Sequence, residues 1–140
     1  VKLAMLKAAP ETRLAVVDGS PGIGCPVISS MSGMDLVLIV AEPSLSGFSD
    51  LKRLVKTAES FQTTVAVCVN KCDMCPQKAE EIRSFCLENK ILFAGTLPYD
   101  KTASEAINAG RSIADIQCPL REAMKAVYQE TMKFLGIVCV

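Results

Sequence analysis

The chain contains no histidine and no tryptophan, and its 15 lysine and arginine residues are balanced by 15 aspartate and glutamate residues. Without histidine there is no imidazole base, no Ser–His nucleophile pair and no histidine-ligated zinc ion. A net charge of zero argues against a general nucleic-acid binder, which needs a basic face.

Long hydrophobic runs are also missing, which excludes a membrane-spanning segment. The apolar runs, such as Leu36 to Ala41 and Val65 to Val69, are much shorter than the roughly 20 residues that a bilayer requires. Half of the 140 residues are nevertheless apolar, so the chain can bury a core and is not intrinsically disordered. The 7 cysteines are an odd number in a chain of this size. We therefore expect one domain with reduced thiols, in the cytoplasm.

Short apolar runs alternate with helical patterns along the chain. This rhythm predicts an α/β fold with about four parallel strands and helices on both faces of the sheet. The predicted strands are Leu14 to Val17, Leu36 to Val40, Val65 to Val69 and Leu92 to Leu97. The predicted helices are Lys2 to Ala9, Pro26 to Met31, a helix capped by Ser46 or Ser49 and ending near Ser60, Pro76 to Asn89, Thr102 to Ala109, and Leu120 to Leu135.

Ligands of such sheets bind at the carboxyl ends of the strands, where three loops carry polar groups. After the first predicted strand comes Asp18-Gly19-Ser20-Pro21-Gly22, an acid followed by a glycine loop. Such an acid can hold Mg²⁺ through water while a glycine N–H reaches a phosphate. The alternative is a turn in which Asp18 is a cap and the glycines supply unusual backbone angles.

The other two loops could form a base pocket. Asn70-Lys71-Cys72-Asp73 fits the N-K-x-D pattern of guanine-reading GTPases, and it is also compatible with a polar turn before the helix at Pro76. Pro98-Tyr99-Asp100 follows the fourth predicted strand, and it could equally be a helix start with Asp100 as the cap.

The cysteines offer a competing, weaker interpretation. Cys68, Cys72 and Cys75 have the C-x3-C-x2-C spacing of three iron–sulfur ligands. Against a cluster, Cys68 lies inside an apolar strand and should point into the core, where free cysteine behaves as a small hydrophobe.

The string from Asp18 to Val27, D-G-S-P-G-I-G-C-P-V, resembles the second phosphate-sensing loop of the MinD/ParA superfamily of P-loop ATPases. It is most similar to the subgroup that carries an inserted ferredoxin domain. The resemblance continues through Ala41 to Leu51, Val69 to Asp73, Leu97 to Asp100 and Ala109 to Arg111. In that family N-K-x-D does not imply guanine, and the position of Pro21 also departs from the GTPase pattern.

The resemblance implies roles for six residues. Asp18 would be the catalytic acid linked to Mg²⁺ through water, and Pro21 and Gly22 would form the switch at the γ-phosphate. Asn70 would contact the adenine edge, while Pro98 and Asp100 would border the base pocket. ATP, Mg²⁺ and 4Fe-4S clusters would be the cofactors of an intact parent, and we expect none bound tightly to this chain.

The departures from the family pattern limit what this chain can do. The sequence contains neither G-x-x-x-x-G-K-[ST] nor the family's lysine-bearing variant, and the ferredoxin cysteines are absent. We therefore expect residues 1–140 to be a single partial domain, the carboxyl-terminal part of a MinD-like ATPase domain, inactive alone. The alternative is a non-catalytic nucleotide-sensing or dimerisation module.

The missing phosphate-loop strand has a physical consequence. In the superfamily it lies between the strand carrying Asp18 and the strand Leu36 to Val40, so its removal leaves two edges without a ladder partner. We expect Leu14 to Val17 either to pair directly with Leu36 to Val40 or to exchange with another chain. We therefore expect a homodimer or a strand-exchanged assembly. The resemblance also implies a redox or cluster-receiving protein as a partner, and we expect no nucleic acid and no membrane.

Overall fold

Three apolar runs form a parallel sheet in the computed structural model, which describes residues 14–137. The strands are β1 (Leu36–Ala41), β2 (Thr64–Asn70) and β3 (Leu92–Leu97), in the order β1-β2-β3. The helices are α1 (Cys25–Met31), α2 (Leu45–Ser60), α3 (Pro76–Glu88), α4 (Lys101–Asn108) and α5 (Pro119–Phe134), with a short 3₁₀ turn at Ile113–Asp115. The predicted α/β class is confirmed.

The core is centred on β2, whose residues Val65 to Val69 are all buried. On one face Val67 and Val69 pack in a cluster with Leu51 of α2 and Ile82 of α3. On the other face Cys68 packs with Ala94 of β3 and Val127 of α5. A strand covered on both faces must be apolar at successive positions, which is why this run carries no alternation.

The first predicted strand is wrong. Residues 14–20 are irregular, and among residues 14–137 the sheet has three strands rather than about four. The predicted direct pairing of Leu14 to Val17 with Leu36 to Val40 is also wrong. Residues 14–17 form no strand, and within residues 14–137 the strand paired with β1 is β2. A short apolar run becomes a strand only where a neighbour supplies backbone partners. Strand exchange with another chain stays a prediction.

Helix boundaries follow their caps. The predicted cap of α2 is wrong: Ser44, not Ser46 or Ser49, accepts a hydrogen bond from the backbone N–H of Gly47 at 3.0 Å. Ser44 holds the extended backbone that a cap requires, so the helix begins one turn earlier than its apolar face suggests. The other described helices begin and end within one or two residues of their predicted bounds, a usual uncertainty for helix ends. The predicted helix Lys2 to Ala9 lies outside the described residues.

Within residues 14–137, no helix combines the length and the apolar character that a crossing of the bilayer would demand.

Candidate nucleotide site

The register of the sheet aligns the loops at its carboxyl edge. Ala41 of β1 stands beside Val69 of β2, and Asn70 of β2 stands beside Leu97 of β3. The loops that begin at Glu42, Lys71 and Pro98 therefore leave the sheet side by side. Parallel strands place their carboxyl ends at one edge, so the alignment follows from the strand order alone.

An ion pair joins the loops after β1 and β2. Nζ of Lys71 lies 2.6 Å from Oε1 of Glu42, and both side chains keep contact with solvent. The hydrogen bond and the negative charge of Glu42 raise the pKa of Lys71. Lys71 also has a positive φ of 52°, which turns the chain sharply out of β2 and aims its side chain back across the edge.

Two hydrogen bonds join the loops after β2 and β3. The backbone N–H of Tyr99 donates to Oδ1 of Asp73 at 2.7 Å, and the backbone N–H of Cys72 donates to the carbonyl of Leu97 at 3.0 Å. A guanine-reading aspartate must keep its carboxylate free for two base N–H groups. The structural use of Asp73 therefore argues against a GTPase that reads guanine through Asn70 to Asp73.

Asn70, Pro98 and Asp100 belong to the strand end and the loop at this joined edge, since Asn70 is paired with Leu97, the residue before Pro98. Oδ1 of Asn70 accepts from the backbone N–H of Lys71 at 3.0 Å, which fixes the amide plane beside the end of β3. Asp100 caps α4 by accepting from the backbone N–H of Thr102 at 2.9 Å, as the helix-start alternative predicted. Hydrogen bonds from Thr102 lower the pKa of Asp100. The carboxylate is therefore committed to the helix, and its place beside a base stays a prediction.

Asp18, Pro21 and Gly22 form a second group, in an exposed loop before α1. All three line a cavity of about 740 Å³ that runs along β1. Gly22 has a φ of +94°, which residues with a Cβ rarely adopt, so its glycine is required by the turn. Gly22 also lines a smaller cavity of about 290 Å³ with Glu42, Ser44 and Asp50, at the carboxyl end of β1.

The structure therefore divides the six predicted site residues into two groups rather than one pocket. Asp18, Pro21 and Gly22 line the larger cavity, whereas Asn70, Pro98 and Asp100 line neither of these two cavities. Their catalytic and nucleotide-binding roles remain predictions.

The weaker interpretation, that Cys68, Cys72 and Cys75 hold an iron–sulfur cluster, is wrong. Among residues 14–137 no three histidine, cysteine, aspartate or glutamate side chains are placed to hold a metal ion. Cys68 is 1% exposed in the core, and burial, with a smaller effect from Cys72, raises its thiol pKa to about 11. Its neighbours in the sequence motif, Cys72 and Cys75, lie in the loop outside the strand. The side chain of Cys68 instead packs in the core with Ala94 and Val127.

The cross-loop contacts of Glu42–Lys71 and Asp73–Tyr99 were missed by the sequence reasoning. A signal existed: Glu42 and Lys71 carry opposite charges directly after two apolar runs that could be neighbours. The backbone acceptor role of Asp73 had no such signal, because it depends on how the two loops meet.

Comparison with known proteins gives a fold and two relatives, and no family model matches the chain. The uncharacterised protein MJ0578 of Methanocaldococcus jannaschii is 27% identical over 125 residues, which are 89% of this chain and 42% of that protein. MJ0579 of the same organism is 30% identical over 97 residues, 69% of this chain and 32% of that protein. The chain thus spans less than half the length of either relative.

Among solved structures, the MinD cell division protein of Aquifex aeolicus matches with a TM-score of 0.75. The match has 23% sequence identity and covers 99% of this chain and 59% of that chain. The described strands and helices therefore have a MinD-like α/β fold.

Proposed function

We propose that this chain is the carboxyl-terminal part of a MinD-like ATP-binding iron–sulfur protein, that the intact protein binds and hydrolyses ATP, and that this chain alone is not catalytic. The observation that carries the proposal is the joined carboxyl edge of a MinD-like sheet, where Asn70 is paired with Leu97, the residue before Pro98. Asp100 lies two residues further along this loop and caps α4. Asp18, Pro21 and Gly22 flank the same sheet on the side of β1.

The reaction of the intact protein would be transfer of a phosphoryl group to water. This chemistry needs little covalent participation and depends on positioning and on charge stabilisation. Asn70 and Pro98 would orient the base from fixed loops, while Pro21 and Gly22 would contact the γ-phosphate from the loop before α1. Asp18 would hold Mg²⁺ through water, and the metal would neutralise charge on the phosphates.

The residues present fit one part of such a site and not the other. The loops after β2 and β3 are held by hydrogen bonds, as a base pocket requires. A phosphate cradle needs a lysine-bearing glycine loop, which the 140 residues do not contain. The iron–sulfur clusters would belong to an inserted domain of the parent, so no step in this chain runs through them. The parent would be cytoplasmic, with a homodimer or strand-exchanged assembly and a redox or cluster-receiving protein as partners.

A nucleotide-sensing or dimerisation module is the second candidate. It is favoured by the difference between the two parts of the proposed site. A chain whose loops after β2 and β3 are joined by hydrogen bonds, and which has no phosphate cradle, would bind adenine without turning over ATP.

Phosphate release and thermal unfolding of the purified chain test the proposal. We expect phosphate release at the level of an Asp18→Ala variant, and turnover clearly above that variant would contradict the inactive assignment. Retained sensing predicts a small rise in Tm at millimolar ATP that exceeds the rise with GTP. Asn70→Ala should abolish it, whereas Asn108→Ala, at the end of α4, should not. No shift at millimolar ATP would contradict the sensing candidate.

The parent assignment has a separate test in the coding DNA. We expect a lysine-bearing glycine loop and a ferredoxin set of cysteines in the same reading frame as this chain. A frame that carries neither would contradict the parent, whatever the nucleotide binding of the isolated chain.

A further inference from the structure

The cysteines of the chain differ in what surrounds their thiols. Cys68 and Cys86 are buried in the core, and burial above all raises the pKa of each thiol to about 11, so both stay protonated. The sulfur of Cys118 caps α5 by accepting from the backbone N–H of Arg121 at 3.4 Å. Cys25 is exposed at the start of α1. None of these four combines an accessible thiol with a second accessible thiol nearby in the sequence.

Cys72 and Cys75 differ from the other described cysteines because both thiols are half-buried and only two residues separate them. Cys75 holds the N-cap position of α3, before Pro76, and its side chain makes no capping hydrogen bond there. At α5 the equivalent residue, Cys118, uses its sulfur for the cap. Cys72 packs partly against the core cluster. The sulfur of Cys75 is therefore not committed to the helix that it precedes.

Backbone hydrogen bonds hold the segment that carries the two thiols. The N–H of Cys72 donates to the carbonyl of Leu97 at 3.0 Å, which ties this end to the loop after β3. The N–H of Met74 donates to the carbonyl of Lys71 at 3.0 Å and closes a turn, so the chain bends between Cys72 and Cys75. Two thiols held on one turn react with each other without a further cost for bringing them together.

We propose that Cys72 and Cys75 form a dithiol site that reduces small organic disulfides and is itself oxidised to a Cys72–Cys75 disulfide. Both sulfurs are only partly exposed, which favours a small disulfide over the disulfide of a folded protein. A C-x-x-C pair at the start of a helix is typical of dithiol–disulfide chemistry. The inference is independent of the proposed nucleotide function.

The exchange has two steps. One cysteine of the pair, as its thiolate, attacks a sulfur of the substrate, whose S–S bond breaks and releases one half as a thiolate. The second cysteine gives its proton to water, and its sulfur attacks the protein sulfur of the mixed disulfide, which releases the other half as a thiolate. Two electrons pass from the protein to the substrate, and the two protons of the dithiol end on the two released thiols.

A metal site at this pair is less well supported. Within the described range 14–137, no third cysteine, histidine, aspartate or glutamate is placed with the two thiols to hold a metal ion. Structural zinc and iron–sulfur centres typically take four protein ligands. Disulfide exchange needs the two thiols alone.

Glutathione disulfide tests the proposal, because tryptic cleavage separates the cysteines. Cleavage after Lys71 and Lys78 gives peptide 72–78, which contains both cysteines of the pair and no other, while Cys25 lies in peptide 14–52. The reduced full chain is incubated with glutathione disulfide, quenched in acid, alkylated and digested. We expect peptide 72–78 to lose two hydrogen atoms and to retain no glutathione, whereas peptide 14–52 should retain it. Retained glutathione on peptide 72–78, or no reaction there, would overturn the proposal.

A redox buffer gives a quantitative measurement. At a fixed ratio of glutathione disulfide to glutathione, diluting both about ten-fold should raise the oxidised-to-reduced ratio of peptide 72–78 about ten-fold, because closure releases two glutathione molecules. The adduct at Cys25 releases one, so its ratio should not change. A ratio for peptide 72–78 that dilution leaves unchanged would contradict formation of the disulfide.

Matched variants assign the closing step. Cys72→Ser and Cys75→Ser each leave one thiol, so peptide 72–78 of either variant should retain glutathione. Cys118→Ser keeps an acceptor at the cap of α5 and should leave closure in peptide 72–78 unchanged. A wild-type disulfide that joins peptide 72–78 to a different peptide would overturn the proposal. So would a metal ion that the wild-type chain binds tightly and both single variants lose.

Discussion

The two halves of the candidate site differ in how the rest of the molecule supports them. The loops after β2 and β3 are fixed by Asp73–Tyr99, Cys72–Leu97 and the cap at Asp100, above a strand buried at five successive positions. The loop from Asp18 to Gly22 is exposed and lines the 740 Å³ cavity along β1. The two groups of predicted site residues therefore have different surroundings.

This difference shows that a loop's conformation depends on its neighbours as much as on its own residues. The half formed by the loops after β2 and β3 has polar groups paired across loops. The other half, the loop from Asp18 to Gly22, follows Leu14 to Val17. This run does not pair with β1 and forms no strand. A half whose loops are joined by hydrogen bonds and a half that is exposed should respond differently to mutation.

The largest expected effect comes from the core beneath the fixed loops. Ile82→Ala removes a fully buried side chain that packs with Val67 and Val69, and it should lower the free energy of unfolding by about 2–5 kcal/mol. Val16→Ala, at an 83% exposed side chain, should change it by less than about 0.5 kcal/mol. Urea unfolding measures both. A large loss in Val16→Ala would mean that the first half is packed after all.

A smaller effect is expected for the two aspartates. Asp73→Ala removes the acceptor of the Tyr99 N–H and should cost about 1 kcal/mol of unfolding free energy. Asp73→Asn keeps an acceptor oxygen and should recover most of this loss. Asp18→Ala lies in the exposed loop and should be neutral within about 0.5 kcal/mol. Equal destabilisation by Asp18→Ala and Asp73→Ala in the same urea titration would remove the contrast between the halves.

The smallest effect is the pH dependence of the Glu42–Lys71 ion pair. The pKa of Lys71 is raised in the folded chain, so its contribution to stability is fully present below the lysine pKa of the unfolded chain and is lost as pH rises through the raised value. The difference in urea midpoint between wild type and Glu42→Gln should therefore be small at neutral pH and vanish in strong alkali. Comparing the two proteins at each pH cancels the titration of thiols and tyrosines. A difference that grows with pH would contradict the pairing.

Sequence reasoning predicted the strands that became β1, β2 and β3 because each carries enough apolar residues to be identified without its partners. It also predicted the helices from α1 to α5, although it placed the cap of α2 at the wrong serine. It failed at Leu14 to Val17, where the apolar pattern is present and the ladder partner is not. It placed Cys68 in the core and so treated an iron–sulfur cluster at Cys68, Cys72 and Cys75 as the weaker interpretation, and the structure buries Cys68 as expected. The alignment of Asn70 with Pro98 followed from the parallel order, and their binding roles remain to be tested.

By itself, the amino-acid sequence determined the α/β class, the buried central strand and the absence of a phosphate-cradle lysine, because these depend on composition and local pattern. The tertiary structure decided that Asp73 accepts from a backbone N–H, that Glu42 meets Lys71, and that within residues 14–137 β1 is paired on one side only. Each of these depends on distances between residues far apart in the chain, and only packing the sheet and its helices together sets those distances.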